Sequence, residues 1–183
     1  MQEELLPGLL KHVQAKKTDR VKVLEAATGT GKSLLYLLPA LGAVDRNTED
    51  KLSTTVVVAP LAALIRSQMD GALRIFETCG IRKDVASSLV AAFWSDQTKE
   101  ERRDANRAVD NGSAAIVFVT PERIAQPWFA AQLKNRLSID VVLIDEVHLL
   151  CSWSTFFRDS YQQVNQYLSP ASRDMSGSFW VLF

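Results

Sequence analysis

The stretch Leu24–Leu41, LEAATGTGKSLLYLLPAL, decides the fold. An apolar run, Val21-Lys22-Val23-Leu24, leads into the small-residue segment Ala26-Ala27-Thr28-Gly29-Thr30-Gly31, then Lys32-Ser33 and a Leu-rich segment. The order is strand, loop, helix, and the spacing A-x-x-x-x-G-K-S is the phosphate-loop pattern with Ala26 in the first small position. Gly29 and Gly31 tolerate positive φ and close backbone approach, so several N–H groups can converge on one phosphate. The helix opening at Lys32 adds unpaired N–H groups and the positive end of its dipole. Lys32 is placed to reach β and γ phosphates, and the Ser33 hydroxyl to join Mg²⁺. Taken alone, the stretch also reads as a glycine-rich turn with no ligand.

Outward from it, the chain alternates apolar strands and helices. Val21–Ala26, Thr54–Ala59, Leu89–Trp94, Ala115–Val119, Asp140–Ile144 and Phe179–Phe183 read as strands. TTVVVA and DVVLI lack polar alternation, as buried parallel strands do. Helices are expected over residues 2–15, 32–43 (with Pro39 bending or ending it), 61–78, 98–109, 127–137 and 161–168. Thr98-Lys99-Glu100-Glu101 has capping-box form, and Gly80 and Asn111-Gly112 close helices. Strands alternating with helices predict an α/β fold, a parallel sheet with helices on both faces.

The strand Val141–Ile144 delivers Asp145 and Glu146 to its carboxyl end, where open α/β sheets bind ligands. Asp145 is placed to hold Mg²⁺ through its water shell, and Glu146 to position or deprotonate an attacking water. Lys32, Asp145 and Glu146 are therefore the candidate catalytic set. Ala27, Thr28, Gly29, Thr30, Gly31, Lys32 and Ser33 are candidate nucleoside-triphosphate contacts, with Ser33 and Asp145 as Mg²⁺ ligands.

Composition bounds the rest. The 183 residues carry 21 basic and 21 acidic side chains, so there is no bulk cationic signature for nucleic acid or membrane, although a local patch is compatible. Cys79 and Cys151 lack C-x-x-C spacing, and both read as reduced, small apolar residues. The acidic start is unlike a signal peptide, and no apolar run is long enough to span a bilayer. The charged helix from Thr98 to Arg107 reads as a solvated face.

The segments beyond the phosphate loop resemble superfamily 2 helicases, and specifically the RecQ family of DNA helicases. KSLLYLLPAL, VVVAPLAALIRSQ (56–68), GSAAIVFVTPERI (112–124) and DEVHLLCSWSTFFRDSY (145–161) carry the resemblance. Ala59 and Ser67 depart from the family's usual Ser and Asp. Ser154, Thr155, Phe156 and Asp159 depart from its Gly, His, Asp and Pro. The resemblance implies a RecA-like P-loop NTPase domain spanning 1–183, ATP and Mg²⁺ as cofactors, and 3′–5′ translocation on single-stranded or forked DNA. It implies DNA repair or recombination and a nuclear (or bacterial nucleoid or cytoplasmic) location. It places Arg66, Gln68, Thr120, Glu122 and Arg123 towards the bound strand, although Arg66 or Arg123 alone also reads as a solvated cation. Trp153, Phe157 and Arg158 fall in an aromatic-rich loop coupling DNA contact to hydrolysis, a role that stacking aromatics beside an arginine suit. Core packing of these aromatics is the simpler reading of them alone. His148 is the link across the cleft, and Gln2 is a candidate reader of adenine.

The resemblance covers the first of two motor domains and ends before motif III. The second domain, with its arginine fingers, is expected from elsewhere, a second chain being one source. Alone, these 183 residues are expected to bind Mg-ATP weakly and to hydrolyse it negligibly. The alternatives are a non-enzymatic nucleotide- or nucleic-acid-binding remnant and a DEAD/DEAH-type RNA helicase domain.

Overall fold

A computed structural model of the chain describes residues 21–23, 32–45, 52–146, 159–160 and 179–182. Its centre is a six-stranded sheet of β1 (Val21–Val23), β2 (Ser53–Val58), β3 (Val90–Phe93), β4 (Ile116–Val119), β5 (Ser138–Ile144) and β6 (Phe179–Leu182). The spatial order is β1-β6-β5-β2-β4-β3, and every pairing is parallel. Val58 lies level with Val119 on one side and Ile144 on the other, so three strands end together at one carboxyl edge.

Strand alternation sorts the core into two layers. Val57, Phe118 and Leu143 face helices α1 (Leu34–Asp45), α2 (Ala62–Thr78) and α3 (Lys83–Leu89), packing with Leu35, Leu37, Ile65 and Phe76. Val56, Val58, Val117, Val119, Val142 and Ile144 face α4 (Lys99–Asp110), α5 (Pro121–Ile124) and α6 (Pro127–Arg136), packing with Val109, Phe129 and Leu133. Because both faces are covered, β-branched residues succeed one another without polar alternation. The tight ring contacts cross the sheet-to-helix boundary: Tyr36 meets Phe118 edge-on at 5.5 Å, and Phe93 meets Phe129 at 4.7 Å. The parallel sheet with helices on both faces is the expected architecture.

At the opposite end of β2, the register shifts between Thr54 and Thr55. Polar side chains seal that end. The Thr54 hydroxyl donates to the Ala114 carbonyl at 2.8 Å, and Ser53 to Asp140 at 2.7 Å.

Three local features refine the sequence reading. Pro39 does not end α1, which runs on to Asp45. Pro39 itself is buried between Leu37 and Ala40, and packing on the sheet offsets the backbone hydrogen bond a proline forfeits. Helix α3 was not expected; KDVASSL has little apolar periodicity, and Ala86 and Leu89 are its buried residues, with Val85 packed partly buried beside them. Cys79 is free but exposed at the α2 C-cap, so it does not serve as a buried apolar residue. The capping box of α4 forms with both reciprocal bonds, and Gly80 and Gly112 take positive φ after their helices. The expected helices over 2–15 and 161–168, and Cys151, lie outside the described residues.

Candidate functional site

The chemistry-bearing residues gather at the carboxyl edge of the sheet. Asp145 continues β5 by one rung, its N–H donating to the Val58 carbonyl at 2.9 Å. That bond fixes the backbone from which the carboxylate projects. The Asp145 carboxylate then accepts at both oxygens: Gln68 Nε2 donates to Oδ2 at 2.8 Å, and the Glu146 N–H to Oδ1 at 3.0 Å. Glu146 leaves the strand with φ 56°, a left-handed conformation. For a side chain with a Cβ this costs about 1–2 kcal/mol. Backbone strain of this kind clusters at functional sites.

Across from the two acids, Lys32 and Ser33 form the turn into α1. The Lys32 carbonyl accepts from the Leu35 N–H at 3.0 Å, and the Ser33 carbonyl from the Leu37 N–H at 3.1 Å. Lys32, Ser33, Gln68, Asp145 and Glu146 line one cleft of about 440 Å³, whose floor is apolar and includes Leu37, Val57 and Leu143. Tyr36 joins both sides. Burial pushes its phenol above the usual range, a hydrogen bond with the Ser33 side chain opposes this, and the Asp145 charge adds to the rise. Tyr36 therefore stays neutral at physiological pH and holds Ser33 without introducing charge.

The cleft's hard-oxygen donors are a hydroxyl and carboxylates. Among the described residues no three His, Cys, Asp or Glu side chains cluster tightly enough to hold a metal by themselves. A sparse oxygen set suits Mg²⁺, which keeps several waters and borrows ligands from phosphates.

Of the residues expected to face nucleic acid, Gln68 instead directs its amide at Asp145, while its Oε1 is buried and has no partner among the described residues. Spacing carried that signal. Ile65, Gln68 and Ala72 fall at i, i+3 and i+7, so Gln68 sits on the stripe of α2 that turns inwards. Arg66 and Ser67 lie off it and are exposed. Arg66 places its guanidinium 5.0 Å from the centre of the Trp94 ring.

Thr120 is buried after β4, its N–H donating to the Phe93 carbonyl at 3.1 Å, and Glu122 follows half-buried on α5. The Arg123 guanidinium lies over Trp128 at 4.5 Å and Phe129 at 4.7 Å, and Nη1 donates to the Gln126 side-chain oxygen at 3.0 Å. Its pKa is lowered by burial and, secondarily, by the charge of Arg102. The aromatic partners of Arg66 and Arg123 were not foreseen from the sequence. Gln2, Ala27, Thr28, Gly29, Thr30, Gly31, His148, Trp153, Phe157 and Arg158 lie outside the described residues.

With this geometry in hand, the family model for "DEAD/DEAH box helicase" matches residues 1–178. The chain belongs to the DEAD/DEAH box helicase family. Within it, this helicase chain resembles RecQ-type enzymes. It is 30% identical over 137 residues to the ATP-dependent DNA helicase RecQ of Bacillus subtilis, covering 75% of this chain and 20% of that protein. It is 34% identical over 137 residues to the ATP-dependent DNA helicase Q5 of Rattus norvegicus, covering 73% of this chain and 12% of that protein. The chain thus spans about a fifth or less of the length of these relatives. Among solved structures, the DEAD-box helicase Mss116 bound to ssRNA and UDP-BeF superposes with a TM-score of 0.70 at 19% identity, over 96% of this chain and 34% of that one. Helicase domains of this kind bind ATP. Among the described residues no helix is long and apolar enough to cross a membrane.

Proposed function

We propose that this chain is the ATP-binding motor domain of a RecQ-like 3′–5′ DNA helicase, working on single-stranded or forked DNA. The observation that carries the reading is the cleft in which Lys32 and Ser33 face Asp145 and Glu146. Lys32 answers the β and γ phosphates, and the backbone of Ala27–Gly31 cradles them. Ser33 and Asp145 hold the Mg²⁺, which when bound neutralises charge on the β and γ oxygens. Glu146 orients the attacking water. Gln2 contacts the adenine, and His148 links the nucleotide to the strand held by Trp153, Phe157 and Arg158. Arg66, Thr120 and Arg123 contact that strand at the sheet's edge. DNA rather than RNA is preferred because the curated relatives quoted above are DNA helicases by name, whereas the Mss116 match supports the fold alone.

Turnover also needs charge stabilisation that these residues do not supply. An arginine finger contributes about 10³–10⁵ in rate. We place that arginine on a second RecA-like domain, in the same polypeptide or in another chain. A protein with this substrate works where chromosomal DNA is, in a nucleus or nucleoid.

The test is titration of the 183-residue chain with a fluorescent ATP analogue and Mg²⁺, followed by ATPase assay with oligo(dT) and oligo(U). Weak Mg²⁺-dependent binding that disappears in Lys32→Ala, with negligible turnover, is expected. Robust DNA-stimulated turnover by this chain, lost in Lys32→Ala, would overturn the requirement for a second domain. Nucleotide binding indifferent to Lys32→Ala would overturn the site itself.

A further inference from the structure

We propose that the free edge of β3 is a docking site for an extended peptide of a partner protein, one that alternates aliphatic with basic residues and joins the sheet as a seventh strand. The hollow beside that edge shares no lining residue with the nucleotide cleft, so the inference stands apart from the function proposed above.

Strand β3 is last in the sheet order and, among the described residues, pairs with β4 alone. The Leu89 and Phe93 carbonyls accept from the Ala115 and Thr120 N–H groups at 2.8 and 3.1 Å, so the odd-numbered backbone groups turn towards β4. By the two-residue period of a strand, the groups of Val90, Ala92 and Trp94 turn away from it. One side chain answers them. Gln97 donates through Nε2 to the Ala92 carbonyl at 2.6 Å and accepts at Oε1 from the Trp94 N–H at 3.3 Å. A residue of a parallel neighbouring strand makes the same two bonds, to a carbonyl and to the N–H two residues on. The Gln97 carboxamide thus stands where a peptide group of a seventh strand would stand. Sheet edges left bare invite pairing, and a side chain that caps one blocks it only until displaced.

The walls of the hollow define the occupant. Its volume is about 200 Å³. Small-molecule sites run to about 300–1,000 Å³, so this one suits side chains rather than a cofactor. On one face of the sheet lie Met69 and Leu73 of α2, both half-buried, with Trp94, whose buried indole N–H has no partner among the described residues. On the other face α4 presents Glu101 and Asp104, both exposed. No lysine or arginine is among the described residues that line the hollow. Both carboxylates are ordered in advance, Glu101 by the Thr98 N–H and hydroxyl and Asp104 by Arg107 at 3.4 Å. An added strand turns successive side chains to opposite faces. Aliphatic residues then meet Met69 and Leu73, basic residues meet Glu101 and Asp104, and the strand's carbonyls supply the kind of acceptor the Trp94 indole lacks. A second copy of this chain fits less well. A two-fold contact places the same patch on both sides, so α4 would bring its carboxylates against their own images.

The test is fluorescence anisotropy of the whole chain with a labelled, capped peptide, Lys-Val-Lys-Val-Lys-Val, and with its Glu-for-Lys counterpart. Circular dichroism checks the fold of each variant. The lysine peptide is expected to bind and the glutamate peptide not to. Gln97→Ala, which removes the competing carboxamide, should tighten binding about fivefold, the net worth of one to two hydrogen bonds. Glu101→Gln combined with Asp104→Asn should weaken it about threefold or more, and glutamine at position 101 keeps the capping box of α4. The decisive probe leaves the protein unaltered. Two peptides carry N-methyl groups on either all the valines or all the lysines. A docked strand turns alternate N–H groups to β3, so one pattern should abolish binding and the other spare it. Equal effects of the two patterns, or equal binding of the lysine and glutamate peptides, would overturn strand addition. So would failure of the lysine peptide to bind either wild type or Gln97→Ala. Self-association of Gln97→Ala in sedimentation that the lysine peptide does not reverse would give the edge to a second copy and overturn the partner.

Discussion

Gln68→Ala separates the stability of this domain from its nucleotide chemistry. The substitution removes the 2.8 Å bond from Nε2 to Asp145 and, with it, an Oε1 that is buried without a partner. A hydrogen bond to a charged group contributes about 1.5–3 kcal/mol. Asp145 is only half-buried and keeps the Glu146 N–H, so the lower end, about 1.5 kcal/mol, applies. An unsatisfied buried oxygen costs about 1–3 kcal/mol, and alanine relieves that cost. The two changes oppose each other at similar size, and the net shift in folding free energy should stay within about 1 kcal/mol. The cleft does not share in the compensation. Without the Gln68 amide, the Asp145 carboxylate loses one of its fixed contacts and its placement must be made up whenever Mg-nucleotide binds, and about 1.4 kcal/mol of ordering is a factor of ten in affinity. Two measurements decide it: thermal melting, and titration of a fluorescent ATP analogue with Mg²⁺ and with EDTA. The melting temperature should barely move, affinity in Mg²⁺ should fall about tenfold, and affinity in EDTA should not change. A large drop in melting temperature, or unchanged affinity in Mg²⁺, refutes the reasoning.

Lys32→Ala should abolish analogue binding in Mg²⁺ without lowering the melting temperature, since Lys32 sits in the half-exposed turn before α1 rather than in the core. Phe118→Ala should destabilise the domain by about 3–5 kcal/mol in urea unfolding, because the ring is fully buried and carries the edge-on contact with Tyr36. Thr98→Ala should lower the melting temperature by removing the α4 capping box. Hydrogen bonds from Thr98 hold the Glu101 carboxyl below its usual range, so this contribution is present above the unfolded carboxyl pKa and is lost as pH falls through the folded one. The melting gap between wild type and Thr98→Ala should therefore narrow in acid, and a gap constant with pH would count against it.

The sheet was legible because it is buried on both faces. Val56–Val58 and Val141–Ile144 had only to read as unbroken apolar runs, whereas the order β1-β6-β5-β2-β4-β3 is set by tertiary packing that no run reveals. Asp145 was legible for the same reason: a buried strand ends and an acid follows. What sequence could not supply were partners set by three-dimensional neighbourhood. Helix α3 has almost no pattern of its own, and it is defined by where Ala86 and Leu89 find the core. Tyr36 reads as one more apolar position of α1, yet its hydroxyl bonds Ser33 and feels Asp145. Arg102 reads as one charge in a solvated helix, and only the fold lets that charge act on Arg123.

In the function proposed above, Gln68 and Arg66 would tie the two ligands to one helix. They lie two residues apart on the 17-residue helix α2, one exposed over Trp94 at the sheet's edge, the other turned inwards onto Asp145. One turn of α-helix rises about 5.4 Å, so a strand gripping Arg66 and a nucleotide ordered by Asp145 act on the same turn. Coupling between sites requires an element with two arrangements that both ligands bias. In that function α2 is the element both ligands would bias: Gln68 Oε1 has no partner among the described residues, and Glu146 stands at φ 56° at the cleft. A shift of α2 that satisfied Oε1 would move Arg66 as well, because Ile65 and Ala72 bury the same helix on either side of Gln68 and a rigid helix cannot turn at one residue alone.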